Sequence, residues 1–212
     1  AYKVGPDAIR EDPKALENFL REARIAASLQ HPNIVTIYDA GQAADEIYIA
    51  MEYVEGRSLQ QALDQVSTLP LPQALAIFRQ ACLGLAHAHG QNIVHRDIKP
   101  ANMMITPGGV VKLMDFGLAA VVTEAMTKVT SVRGTPFYMA PEQILGEEIS
   151  ALSDQYALGC TLYHMVTGRP PFVEGDVLYH HIHTAPMSPR ERNPQIPAWL
   201  DAVLDLQTEI WR

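Results

Sequence analysis

Two polar clusters bracket a turn in the middle of the chain, and their placement constrains the fold more than any other feature. Residues 95–102 read H-R-D-I-K-P-A-N, and residues 115–117 read D-F-G. Between them, M-M-I-T at 103–106 and V-V-K-L-M at 110–114 flank Pro107-Gly108-Gly109, the chemistry of a tight turn between two short strands. Asn102 then precedes the first strand and Asp115 follows the second. Antiparallel pairing, with strands about 4.8 Å apart, returns both side chains to one open end of the hairpin.

An amide oxygen and a carboxylate meeting there suit a hard cation such as Mg²⁺, or Mn²⁺ in its place, with water and phosphate oxygens completing the shell. A phosphoryl donor carrying such a metal needs two oxygen ligands on one side and, on the other, a carboxylate able to receive the proton of an acceptor hydroxyl. Asn102, Asp115 and Asp97 are candidates for these three roles. His95, Arg96, Asp97, Lys99 and Asn102 coinciding upstream of a matching D-F-G exceeds what average residue usage supplies in one chain of this length.

On either side of this centre the pattern changes character. Asp12-Pro13 is a helix start, followed by an apolar stripe of Leu16, Phe19, Leu20, Ala23 and Ala27 with Glu22 at its edge. His31-Pro32 ends it. Residues 34–38 and 46–54 read as strands, the second alternating Ile47, Ile49, Met51 and Tyr53 on one face. From Ser58 helices take over: one to about Val66, then a longer one from Pro72 to Gly90, with Gly90 as a left-handed cap. The switch places a boundary between residues 1–55, a partial small lobe with its connecting segment, and residues 56–212, a large lobe. Residues 118–139 lack periodicity and read as a loop. Ser153 caps an almost continuously apolar helix, Tyr156 to Val166, ended by Gly168; a helix apolar on most sides is a central strut. Further helices are expected at 176–184 and 198–207.

Sixteen basic against twenty-four acidic side chains, a net charge of −8, provide no field attracting nucleic acid or anionic membrane, so neither is an expected partner. Cys82 and Cys160 sit in apolar helical patterns and read as buried thiols suited to a reducing cytoplasm. No leader and no apolar run of membrane-spanning length stands out, which leaves any anchor to segments outside this sequence. His180, His181 and His183 lack acidic or cysteine company and read as solvated helix residues rather than metal ligands.

The phrases H-R-D-I-K-P-A-N-M-M-I, M-D-F-G-L-A, G-T-P-F-Y-M-A-P-E and S-D-Q-Y-A-L-G-C resemble the protein kinase superfamily, and most closely its serine/threonine branch as found in bacterial Hanks-type (eukaryotic-like) kinases. The resemblance runs from Ala1 to roughly Ala202. It implies an α+β, two-lobed fold, a partial antiparallel-sheet small lobe over a mostly helical large lobe, with ATP between them and protein serine or threonine hydroxyls as acceptors. Lys3 would hold the α and β phosphates and Glu22 would be its ion-pair partner. Asp97 would orient the acceptor hydroxyl and take its proton, Lys99 would neutralise charge on the γ-phosphoryl oxygens, and Thr135 would shape the acceptor site. Ala1 would lie above the adenine and Met104 below it, with Glu52, Tyr53 and Val54 along its edge and Met51 behind. Asp154 matches a residue that tethers the H-R-D backbone, and Glu142 one that meets an arginine near the end of the domain. Arg96 beside Asp97 suggests control by a phosphate on the following loop, with Thr127, Thr130 and Ser131 as candidate acceptors.

Two departures complicate the match. No G-x-G-x-x-G lies upstream of Lys3, so the chain reads as a fragment without the loop that covers the phosphates, and its opening strand is expected to expose an edge open to self-association. Arg212 does not align with the arginine expected at Glu142; a buried Glu142 left without it would cost about 3–5 kcal/mol. The leading expectation is a serine/threonine protein kinase domain, and the alternative is a truncated, catalytically impaired kinase-like binding or scaffold module.

Overall fold

The computed structural model describes residues 1–4, 12–43, 46–116 and 136–209, with the backbone alone at 2–4 and 205–209. Helix α1 (Pro13–Ala27) starts as its sequence predicts: the Asp12 carboxylate accepts from the N–H of Lys14 at 2.9 Å and of Ala15 at 3.3 Å, and Pro13 fills a position whose N–H has no helical partner. Its Ala15, Phe19 and Ala23 pack on Val35, Ile47, Ile49 and Met51. The last three come from β3 (Glu46–Met51), the central strand of an antiparallel sheet ordered β1 (Tyr2–Val4), β3, β2 (Ile37–Ala43).

The expected alternation along β3 stops at Met51. Tyr53 lies beyond the strand and is 77% exposed. The strand expected at 34–38 is displaced to Ile37–Ala43, because residues 33–35 bond elsewhere: the N–H of Val35 donates to the carbonyl of Leu113 and the N–H of Leu113 to that of Asn33, both at 2.9 Å. Leu113 belongs to the predicted hairpin, β5 (Met103–Ile105) and β6 (Val111–Leu113), which turns through Gly109 at φ 77° and forms a second sheet with β4 (Arg57–Ser58). Gly56, at φ 150°, lets the chain pass so close that any Cβ there would collide with the carbonyl oxygen of Ile105.

The larger core joins Ala26, Leu29 and Ile34 to the hairpin and to helices α2 (Leu59–Gln65), α3 (Leu71–His89) and α5 (Ala151–Thr167). Helix α5 is the strut its composition implied, buried without interruption from Ala157 to Val166 and closed by Gly168 at φ 86°. Its cap is Ser150 rather than Ser153. Ser153 instead sits in the first turn and accepts from the Ser150 N–H at 3.2 Å, the reciprocal half of a capping box. Gly90 likewise does not take the left-handed position: it stays at φ −62°, and the chain turns at Asn92, φ 58°. Shorter helices follow: α4 (Pro141–Leu145), α6 (Val177–His183), α7 (Pro189–Arg192) and α8 (Ala198–Glu209).

The histidine cluster of α6 is not uniformly solvated. His181 is buried, its Nδ1 bonded to the Tyr156 hydroxyl on α5 and its ring edge-on to Phe172. Cys160 is buried and Cys82 half-buried, both as free thiols. Among the described residues no helix is long and apolar enough to cross a membrane.

Candidate active site

The hairpin does for Asn102 and Asp115 what its spacing predicts. Beyond the paired residues Met103 and Leu113, the N–H of Met114 donates to the carbonyl of Asn102 at 3.0 Å, so the ladder runs on to the open end where Asn102 and Asp115 stand. Asp97 faces the same asparagine. Asn102 Nδ2 lies 2.8 Å from both the Asp97 carbonyl and its Oδ2, while Lys99 Nζ lies 2.9 Å from Oδ1 and 2.7 Å from Oδ2. With its nitrogen committed to Asp97, Asn102 has its amide oxygen left for a cation. That oxygen and the Asp115 carboxylate are the all-oxygen donor set that magnesium prefers, so the residues fit the metal.

Backbone strain brackets the cluster. Arg96 at φ 70° and Asp115 at φ 65° are non-glycine residues in the left-handed region, an arrangement that persists only where surroundings enforce it. The enforcement is visible. Asp154, 1% exposed on α5, accepts from the N–H of His95 at 2.7 Å and of Arg96 at 2.8 Å, and bonds His89 Nε2 at 2.8 Å. The tether that the resemblance implied for Asp154 is thus made by both carboxylate oxygens.

His95 is the residue whose part the sequence did not reveal. Its ring is fully buried; Nδ1 accepts from the Asp97 N–H at 3.3 Å, which places the proton of the neutral ring on Nε2, 2.7 Å from the Met114 carbonyl. Burial holds its pKa below the ordinary histidine value and keeps the ring neutral. One side chain therefore joins the Asp97 loop to the residue before Asp115, with the Phe116 ring 4.5 Å away.

The residues expected to line a nucleotide slot come from separate segments. Ala1 and Met51 exchange backbone bonds, the Met51 N–H donating to the Ala1 carbonyl at 2.9 Å. Met51 is buried, and Met104 is half-buried on β5 opposite Lys112 of β6. In the connecting segment the Glu52 N–H donates to Thr36, while the Glu52 carbonyl and both backbone groups of Val54 enter no bond among the described residues. The Tyr53 ring is exposed. The Glu52 carboxylate meets Lys112 Nζ at 2.8 Å, a pair the sequence did not suggest.

Glu22 is half-buried on α1, 3.7 Å from Arg21 Nη2. The Lys3 backbone pairs with Ile49. The Lys3 side chain, and the whole of Gly117, Thr127, Thr130, Ser131 and Thr135, lie outside the described residues.

Helix α4 and the residues before it are tied to the Asp97 loop and to α5. Gln143 Nε2 donates to the Arg96 carbonyl at 2.9 Å, and the Tyr138 hydroxyl bonds His164 Nδ1 on α5 at 2.8 Å. Glu142 is only half-buried and accepts from the Ser153 hydroxyl, so the cost anticipated for a buried, unmatched carboxylate does not arise. Burial pushes His164 and His181 down to about 4 from 6.5. The unfolded chain then binds more protons between those values, so stability is full above about pH 6.5 and lost as pH falls toward 4, by up to about 1.4 kcal/mol per pKa unit per group. Urea midpoints measured across this interval are expected to fall with pH, and His164→Gln to flatten the slope; a midpoint that stays level would contradict it.

Comparison with known proteins follows the same lines. Residues 1–206 match the family described as "Protein kinase domain". The chain is 42% identical over 214 residues to the serine/threonine-protein kinase PknB of Mycobacterium leprae, covering 96% of this chain and 34% of that protein. It is 42% identical over 207 residues to a probable serine/threonine-protein kinase of Streptomyces coelicolor, covering 92% of this chain and 31% of that protein. The chain thus spans about a third of the length of the curated relatives it matches. The crystal structure of the Mycobacterium tuberculosis PknI kinase domain superposes with a TM-score of 0.76 at 31% identity, covering 97% of this chain and 75% of that one.

Proposed function

This chain belongs to the protein kinase family and has its fold, and from that premise we propose that it is the phosphoryl-transfer domain of a serine/threonine protein kinase, moving the γ-phosphoryl group of ATP to protein hydroxyls. The observation that carries the reading is the Asp97 carboxylate held by Lys99 and Asn102 at the end of the hairpin where Asp115 emerges. In this reading Asp97 orients the acceptor hydroxyl and receives its proton, and Lys99 stabilises charge on the transferring group. Asn102 and Asp115 would hold a magnesium or manganese ion, whose positive charge would offset the negative charge developing on the phosphoryl group. The base lies between Ala1 and Met104 against residues 52–54, and Lys3 with Glu22 steadies the phosphates. Thr135 shapes the acceptor site. The presence of Asp97, Lys99, Asn102 and Asp115 together argues against a purely non-catalytic binding module.

We also propose a lobe boundary between residues 55 and 56 and a cytoplasmic setting, which the need for ATP and the two free thiols support. The test of function is transfer from labelled Mg-ATP to a generic basic protein, with Asp97→Asn as control. Transfer by wild type alone supports the reading; equal signal from the control removes Asp97 from its role.

Arg96 adds a regulatory proposal. Its Nε is buried and bonds no group among the described residues, and a phosphate on Thr127, Thr130 or Ser131 would supply the bidentate acceptor that a guanidinium takes. Incubation with Mg-ATP is expected to place phosphate between residues 118 and 139. Mass spectrometry finding none there, in protein that phosphorylates other substrates, would sink this idea.

A further inference from the structure

The connecting segment at 52–56 is held by very little. Among the described residues one backbone bond secures it, from the Glu52 N–H to the Thr36 carbonyl at 2.8 Å, and side-chain bonds reach it only through the Glu52 carboxylate. That carboxylate accepts from the Thr36 N–H at 3.2 Å and takes Lys112 Nζ on both oxygens, at 2.8 and 2.9 Å. The Lys112 and Glu52 side chains are 16% and 24% exposed, against 38% and 30% for Lys99 and Asp97. A lysine–carboxylate pair this sheltered is weakly screened, and both partners have already lost much of their water.

The position of Lys112 gives the pair its meaning. Lys112 lies directly opposite Met104 in the antiparallel hairpin, so the two side chains share a face. Met104 is the proposed floor of the adenine slot, and residues 52–54 are its proposed edge. The far end of the segment runs into β4, where Ser58 pairs with Met104 itself, and the Lys112–Glu52 salt bridge is the side-chain tie that holds its near end to the same hairpin.

We propose that Lys112 is a positioning residue for the nucleotide: its pair with Glu52 locks the connecting segment against the hairpin, so that the adenine slot exists before the base arrives. This rests on the kinase reading of the cleft. Lys112 touches none of the reacting groups, so releasing the pair makes binding carry the ordering of residues 52–54 and leaves the transfer step alone.

The test compares Lys112→Met, Glu52→Gln, Lys112→Arg and the charge-exchanged pair K112E/E52K in the intact protein. ATP KM and kcat are read by transfer, Mg-ADP affinity by calorimetry, and folding by melting temperature. Lys112→Met and Glu52→Gln are each expected to raise KM and the ADP Kd about three- to tenfold, with kcat moving less than about twofold. Lys112→Arg keeps wild-type affinity, and the exchanged pair recovers most of it. Single variants that bind ADP as tightly as wild type, or that lose kcat in step with KM, overturn the inference. Should Lys112→Met fail to fold, the isosteric Glu52→Gln decides. A wild type that binds no adenine nucleotide overturns the reading of the cleft and this inference with it, whereas tight wild-type binding with unaffected variants overturns the inference alone.

Discussion

Replacing Asp97 with Asn is expected to lower kcat by about 10²–10⁴-fold while the KM for ATP changes little, the pattern of an interaction made only in the transition state. The substitution keeps the shape and removes two properties. An amide cannot accept the acceptor proton. It also cannot satisfy its neighbours: Oδ2 now accepts from Asn102 Nδ2 at 2.8 Å and from Lys99 Nζ at 2.7 Å, and Oδ1 from Lys99 at 2.9 Å. Whichever way the new amide turns, its NH₂ faces Lys99, a donor against a donor, and the lysine must swing away from the acceptor side. Transfer assays at saturating ATP, paired with nucleotide titrations, separate the two parameters. A variant keeping more than about a tenth of wild-type kcat would show that the proton leaves by another route.

What the sequence revealed of this site, and what it hid, follows from the separation of the contacting residues. Asn102 and Asp115 were legible because a short hairpin joins them, and a hairpin is written in its turn residues. The strut at Ala157–Val166 was legible because burial on every side leaves an almost continuous apolar run. The bond from His95 to the Met114 carbonyl was not, since nothing local distinguishes a buried, neutral histidine from an exposed one. The Lys112–Glu52 and Tyr138–His164 pairs depend on how distant segments dock, which no period reports. Helix ends fell between these cases. Gly90 and Asn92 both suit a left-handed turn, as Ser150 and Ser153 both suit a cap, and packing chose between chemically equivalent neighbours. Residues 33–35 have the composition of a strand in the first sheet, yet Leu113 claims their backbone.

Asp154→Ala is expected to be the most destabilising single change in the large lobe, by about 2–5 kcal/mol, because of what it strands. The carboxylate is 1% exposed and serves the N–H groups of His95 and Arg96 and the ring of His89. Water can reach His89, which is 22% exposed at its side chain, but not the backbone of the fully buried His95. The buried N–H of His95 and the part-buried N–H of Arg96 would then both lose their acceptor, and Arg96 already holds a left-handed conformation at φ 70°. The expected local response is relaxation of Arg96 toward an ordinary conformation, which drags Asp97 off Lys99 and Asn102, so activity falls even in the folded fraction. Asp154→Asn separates the two effects. Its remaining oxygen can serve one N–H while its NH₂ opposes another, so it is expected to recover part of the stability and little of the activity. Urea unfolding of both variants, with hydrogen exchange at the His95 and Arg96 amides, checks the account: unchanged protection in Asp154→Ala would mean that the loop holds its shape without the carboxylate, and that the strain at Arg96 has another source.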